Sequence, residues 1–288
     1  MPSAADPSAP RTQSEPLELR PLLPPGEPAS AAELVERMGL WQRPRPPGER
    51  PHMLSNMVST VDGRASIDGR SGPIAGPADR QLFHALRTPV DAVMAGAGTM
   101  RVERYGRIIR DEPRRRLRRE RGLGEEPLAC IVSRSLALPP DLPLLAEPEA
   151  HVVVLTPSDA KLPASAARVD YIRAASDGEL DLPRALSELR SRFAVELLLC
   201  EGGPHLNCEL LSAGLVDELF LSLSPKLAGG DPPDGEMLRI VAGREFEEPL
   251  ELDLLGALEH DSHLFLRYGV SARERVSRAT TSSSSLAS

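Results

Sequence analysis

A few short stretches of this 288-residue chain combine residue types that do chemistry on a bound ligand. Gly96-Ala97-Gly98-Thr99 follows an apolar run, Val90–Ala95, and precedes a helical stretch starting at Met100. Glycines there let the backbone approach a ligand closely, and a helix start presents free N–H groups to a phosphate. Arg101 occupies the third glycine position of the dinucleotide fingerprint, so that pattern fails, and the loop reads as a phosphate cradle or a plain turn. Leu197-Leu198-Leu199-Cys200 reads as a buried strand that runs into Glu201, Gly202, Gly203 and Pro204. Proline suits a first helical turn, and open α/β sheets bind ligands where such strands end. Two glycine-rich turns at one sheet edge would clamp a long phosphorylated cofactor between them. Glu201 is then either a ligand contact or a surface carboxylate.

Asp62-Gly63-Arg64 ends the first strand and is followed by Asp68-Gly69-Arg70-Ser71-Gly72-Pro73; these are further candidates, and each Asp-Gly is also satisfied as a simple turn. The basic run Arg110 to Arg121 reads as a solvated helix face or a mobile loop; its first member, Arg110, suits a bidentate grip on phosphate. No metal site is expected. The histidines His52, His84, His151, His205, His260 and His263 do not fall at ligand spacing. The HxE…PCxxC signature of zinc deaminases, the GxSxG elbow and the P-loop are all absent from the sequence.

These stretches need a scaffold, and the sequence describes one. Met53–Val61, Val90–Ala95, Leu128–Val132, His151–Thr156, Val195–Cys200 and Leu219–Ser224 read as strands, several continuously apolar as strands covered on both faces must be. Ala78–Leu86, Leu182–Phe193 and Pro204–Ser212 have helical periodicity, and Leu250–Val270 reads as two strands joined near Asp261-Ser262. The prediction is a three-layer α/β domain whose mostly parallel sheet has an antiparallel end. It spans residues 51–271. Residues 1–50 form a Pro/Ala-rich extension with a helical pattern at Ala31–Met38, docked through Leu40 and Trp41. Residues 272–288 form a disordered Ser/Thr-rich tail.

Composition narrows the function classes. Hydrophobic residues make up 41% and the formal charge is −8, which argues against wholesale disorder and against a surface that coats nucleic acid or anionic membrane. Cys130, Cys200 and Cys208 are too few for a disulfide scaffold, and the first two sit in apolar runs as inert core thiols. No stretch approaches the ~20 apolar residues of a membrane span, and the start lacks the apolar segment of a signal peptide. The expectation is a soluble, cytoplasmic protein with a small-molecule partner.

In this order the motifs resemble the riboflavin-biosynthesis reductases: the RibD C-terminal domain and its stand-alone pyrimidine reductase relatives, with a dihydrofolate-reductase-like fold. The resemblance covers about Met53 to Val270. It rests on Ser59-Thr60-Val61-Asp62-Gly63, on Gly96-Ala97-Gly98-Thr99, and on Leu199-Cys200-Glu201-Gly202-Gly203-Pro204 with Leu206-Asn207. Ala213-Gly214-Leu215-Val216-Asp217-Glu218 and Ser224-Pro225-Lys226-Leu227 complete it. It implies a homodimer and an NADPH-dependent reduction that turns the ribosyl group of a phosphoribosylamino-pyrimidine into ribityl, with hydride delivered to C1′ of the ring-opened sugar. By position it implies cofactor contacts at Val58, Gly96, Gly98, Thr99, Glu103 and the run Gly202, Gly203, Pro204, His205 and Leu206. Ser133, Arg134 or Ser135 would meet the 2′-phosphate. Asn56, Ser71, Arg87, Arg110 and Glu201 would meet the substrate. Glu201 is the candidate to polarise or protonate it, with Asp62 nearby.

The chain departs from the family pattern at three places. Asn56 stands where many members have lysine, Pro73 replaces a tryptophan at a position over the cofactor, and Glu103-Arg104-Tyr105 replaces an acidic pair before proline. Two other functions fit the same loops: a reductase of this fold acting on another heterocycle such as a dihydropterin, and a non-catalytic nucleotide-binding module.

Overall fold

The computed structural model describes residues 16–42, 48–230 and 238–270, so the tail expected at 272–288 lies outside the described residues. The chain opens with β1 (Glu18–Leu23), β2 (Ala29–Ser30) and α1 (Ala31–Arg37). Next come β3 (His52–Thr60), α2 (Pro77–Leu86), β4 (Ala92–Gly96), α3 (Ala97–Val102) and α4 (Glu112–Glu120). Then follow β5 (Leu128–Val132), α5 (Pro143–Ala146), β6 (His151–Thr156) and β7 (Arg168–Arg173). A small hairpin, β8 (Ala175–Ser176) and β9 (Glu179–Leu180), precedes α6 (Leu182–Phe193), β10 (Leu197–Cys200) and α7 (Pro204–Ser212). The chain closes with β11 (Glu218–Ser224), β12 (Leu252–His260) and β13 (His263–Val270).

One 11-stranded sheet runs in the order β2-β1-β12-β13-β11-β3-β10-β4-β5-β6-β7. From β11 to β7 all neighbours are parallel, and from β11 outward to β2 all are antiparallel. Alternate residues of the central strands feed two cores. Leu54, Val93, Ile131 and Val154 pack with Leu82 and Leu86 of α2 and Leu34 and Val35 of α1. Their neighbours Met53, Met94, Cys130 and Val153 pack with Leu186 and Leu189 of α6 and Leu206 and Leu210 of α7. That period-two partition is what a parallel sheet covered on both faces requires, so the architecture has the three layers and antiparallel end expected.

Two elements go beyond the sequence reading. β1 belongs to the sheet: Leu19 is fully buried and β1 pairs with β12, although the segment reads as part of an extension. Pro21 and Pro24 mask it, since proline argues against an interior strand but is tolerated near an edge. Leu40 is buried, and Trp41 lies under the Arg121 guanidinium. The basic run from Arg110 is also more than a solvated face. It contains α4, and Arg118 is 1% exposed, donating to the carbonyls of Gly124, Thr88 and Val90. Burial pulls its pKa down to about 10, and Asp91 and Glu126 oppose that shift.

Candidate active site

The parallel strands β3, β4, β5 and β10 all end at one edge, and a cavity of about 1260 Å³ opens there. That exceeds the ~300–1,000 Å³ of a pocket for one drug-sized ligand and leaves room for two. The two glycine loops meet at its centre. Gly96 N–H donates to Gly202 O at 2.8 Å, and Glu201 N–H donates to Met94 O at 2.8 Å, so the loops are fastened backbone to backbone. Gly202 has φ +84°, a conformation that glycine adopts without cost. A Cβ on Gly203 would stand 2.7 Å from Thr99 Oγ1, so this contact accepts no larger residue as it stands. Gly203 is also the N-cap of α7 and provides no side chain to occupy the free N–H groups of its first turn.

Around this centre the structure gathers most of the predicted residues. Asn56 and Val58 line the cavity from β3, and Gly98, Thr99 and Glu103 from α3 and its end. Ser133 and Arg134 line it beyond β5, and Gly203, Pro204, His205 and Leu206 at the start of α7. Ser71, Arg87, Arg110 and Glu201 line it as well. Several already have partners. Glu103 Oε1 accepts from both the N–H and the hydroxyl of Ser71, each at 2.9 Å, joining a predicted cofactor contact to a predicted substrate contact. Ser133 Oγ accepts from Leu136 N–H, and Arg134 pairs loosely with Glu179 of the β8–β9 hairpin.

Glu201 sits at the strongest node. Arg87 Nε and Nη2 each donate to one of its oxygens at 2.7 Å, and Tyr105 Oη donates to Oε2. Arg87 also donates to Ile108 O and lies 4.1 Å from the centroid of the Phe83 ring. Burial alone would lower the Arg87 pKa, but the Glu201 charge and hydrogen bond outweigh it and raise it. The Tyr105 phenol is pushed well above its ordinary value by burial and by the Glu201 charge. The result is a two-bonded carboxylate–guanidinium pair with a neutral phenol bonded to it. With both oxygens accepting, Glu201 holds the Arg87 guanidinium and the Tyr105 hydroxyl in place at the cavity wall.

Three predicted positions fall elsewhere. Asp62 is not among the lining residues. Its Oδ1 accepts from Thr60 Oγ1, and its Oδ2 accepts from the N–H groups of Ala228 and Gly229, at 3.0 and 2.7 Å. Those bonds hold its pKa down, the Thr60 bond most, and make it the anchor of the loop after β11. Gly202 lies behind the lining, under Met57 and Asn207. Pro73 does not line the cavity either; its carbonyl accepts from Lys226 Nζ.

The sequence reading missed Arg80, Phe83 and His84 of α2, Tyr105, Arg114, and the hairpin residues Glu179 and Leu180, all of which line the cavity. For α2 a signal was present: Arg80, His84 and Arg87 recur at helical spacing on one face. For Tyr105 the only signal was its departure from the family pattern.

The model of the RibD C-terminal domain matches residues 51–266. The chain belongs to that family. The 2,5-diamino-6-ribosylamino-4(3H)-pyrimidinone 5′-phosphate reductase of Methanothermobacter thermautotrophicus is 29% identical over 188 residues, covering 63% of this chain and 81% of that protein. The protein of the same name from Archaeoglobus fulgidus is 28% identical over 194 residues, covering 65% and 88%. Among solved structures, a pyrimidine reductase-like protein from Corynebacterium diphtheriae superposes with a TM-score of 0.67 at 22% identity, over 84% of this chain and 99% of that one. The fold is therefore the one the family resemblance implied.

Proposed function

We propose that this protein is a cytoplasmic, NADPH-dependent reductase of riboflavin biosynthesis that converts a phosphoribosylamino-pyrimidine to its ribitylamino product. The carrying observation is the junction of the two glycine loops, Gly96 against Gly202 and Gly203 against Thr99, at the floor of a cavity large enough for cofactor and substrate. The relatives bearing the pyrimidinone phosphate reductase name support a nicotinamide cofactor and a phosphorylated pyrimidine.

The residues present fit a dinucleotide. The uncapped first turn of α7 would receive the pyrophosphate, with Gly203 and Thr99 beside it. Ser133 and Arg134 would meet a 2′-phosphate, which makes NADPH rather than NADH the expected partner. When bound, the nicotinamide supplies the hydride. The chain's own work is orientation and exclusion of water. Ser71 and Asn56 would hold the pyrimidine and sugar, and Arg110 the phosphate. Glu201 locks the Arg87 guanidinium and the Tyr105 hydroxyl in place at the cavity wall. Leu252, Leu254 and Leu255 are exposed along β12, and we assign that apolar stripe to the homodimer contact.

The test is fluorescence titration of the purified protein with NADPH and NADH, followed by NADPH oxidation with the enzymatically made pyrimidine phosphates. Tight, selective NADPH binding with turnover is the expected result. Selective binding without turnover on either the diaminopyrimidinone or the uracil form would overturn the substrate assignment and favour another heterocycle.

A further inference from the structure

One part of the cavity wall, formed by α2 and the start of α4, is rich in arginine. Arg80, His84 and Arg87 share a face of α2, and all three line the cavity. Arg110 and Arg114, on either side of the start of α4, line it with them. Glu201 offsets Arg87, and Asp111 Oδ2 accepts from Arg114 Nε at 2.8 Å. Asp79, which also lines the cavity, interacts with Arg80 through its charge, and among the described residues neither Arg80 nor Arg110 forms an ion pair within 4.0 Å. The wall thus presents a guanidinium excess, with an imidazole set among the arginines.

We propose that this wall is a site for a phosphate-ester dianion in which His84 takes up a proton from solvent as the anion binds, and then donates that proton's N–H to it. The proposal rests on the reductase reading for the source of the anion, the terminal phosphate of the substrate. It adds His84, Arg80 and Arg114 to the residues that recognise it.

The charges around His84 set the direction. Without an anion the ring is neutral: burial pushes its pKa down to about 4, and the charges of Arg114, Arg87 and Arg110 push the same way, against Asp111. The ring packs edge-on to Phe83, which offers it no charge. Farther along the wall, Glu201 is spent on Arg87 and Tyr105. A dianion among these arginines would reverse the local field and supply the acceptor that an imidazolium needs.

Sulfate is the probe of choice, because it remains a dianion from about pH 5 to 8 and has no proton of its own to exchange. Isothermal titration of the full chain with sulfate, in two buffers of different ionisation enthalpy, reads proton uptake directly. We expect about one proton taken up per sulfate near pH 6, and affinity that falls about tenfold per pH unit across that region. His84→Gln should retain weaker sulfate binding with no proton uptake, and Arg114→Gln should weaken binding about tenfold or more. The ring nitrogen shifts of His84 in the unsubstituted protein should move to the protonated pattern on adding sulfate, a readout that needs no variant. Saturation with NADPH should leave the coupled binding intact; its loss would assign the anion to the cofactor and overturn the proposal. So would sulfate binding without proton exchange, unchanged coupling in His84→Gln, or no binding at tens of millimolar. Turnover of the pyrimidine phosphates without coupled sulfate binding would refute this inference and keep the reductase reading; coupled binding without turnover would do the reverse.

Discussion

Arg87 and Glu201 are 114 residues apart in the chain, yet they form a buried two-bonded ion pair at the wall of the cavity, both bonds 2.7 Å long. Their side chains are 9% and 2% exposed. A pair so placed is costly to break from one side, because the remaining charge keeps its desolvation penalty with no partner. Glu201→Gln is therefore expected to lower the unfolding free energy by about 3 kcal/mol. It should also depress turnover strongly while NADPH still binds, since the cofactor loops hold each other through backbone bonds. Urea unfolding and NADPH titration of the same preparation check both halves. Turnover equal to that of the unsubstituted protein would remove Glu201 from the working site.

The contact between Gly203 and Thr99 offers a cleaner test of the glycine junction. Gly203→Ala places a methyl group 2.7 Å from Thr99 Oγ1, so one of the two loops must shift. NADPH affinity should fall at least about tenfold, and Thr99→Ala in the same chain should restore part of it, a coupling that independent sites would not show. A Gly203→Ala variant that binds NADPH normally would mean that the cofactor does not pass through this junction.

Burial, rather than surface charge, governs Arg118. Its guanidinium serves three carbonyls, those of Gly124, Thr88 and Val90, and so ties α4 to the chain leading into β4. Arg118→Met keeps the volume but strands those acceptors, at a cost of about 1 kcal/mol or more for each, so a loss of about 3–5 kcal/mol is expected in urea unfolding. Substituting exposed Arg116 of the same run should change stability by less than about 0.5 kcal/mol.

The sequence made the strand-end loops legible because they are local: an apolar run, a pair of glycines and a proline lie within ten residues of each other. Glu201, Gly203 and Thr99 could be placed at the cavity for that reason. Tyr105, the second partner of Glu201, could not, because its meeting with the carboxylate depends on β4, α3 and β10 packing in one register. Asp62 shows the opposite failure. Its motif is as compact as the others, but its oxygens turn to the backbone of Ala228 and Gly229, which the linear pattern does not reveal. β1 was hidden by its prolines, and Arg118 by the exposed arginines around it.

The last prediction concerns acid stability in the absence of any anion. In the folded protein the His84 pKa is pushed from 6.5 to about 4, chiefly by burial, so the folded ring stays neutral where the unfolded one is charged. Between those two values the unfolded chain binds the extra proton, and stability rises with pH. The contribution is complete above about pH 6.5 and lost progressively as pH falls toward 4, amounting to about 3 kcal/mol in all. His84→Gln should flatten the stability profile across that window while leaving the neutral-pH end within about 1 kcal/mol. Because a bound dianion would charge the ring in the folded state too, sulfate should flatten the same window in the unsubstituted protein. Urea unfolding at pH 5 and pH 7, with and without sulfate, separates the two effects. An identical pH slope in the His84→Gln variant would show that the proton is taken up at another group.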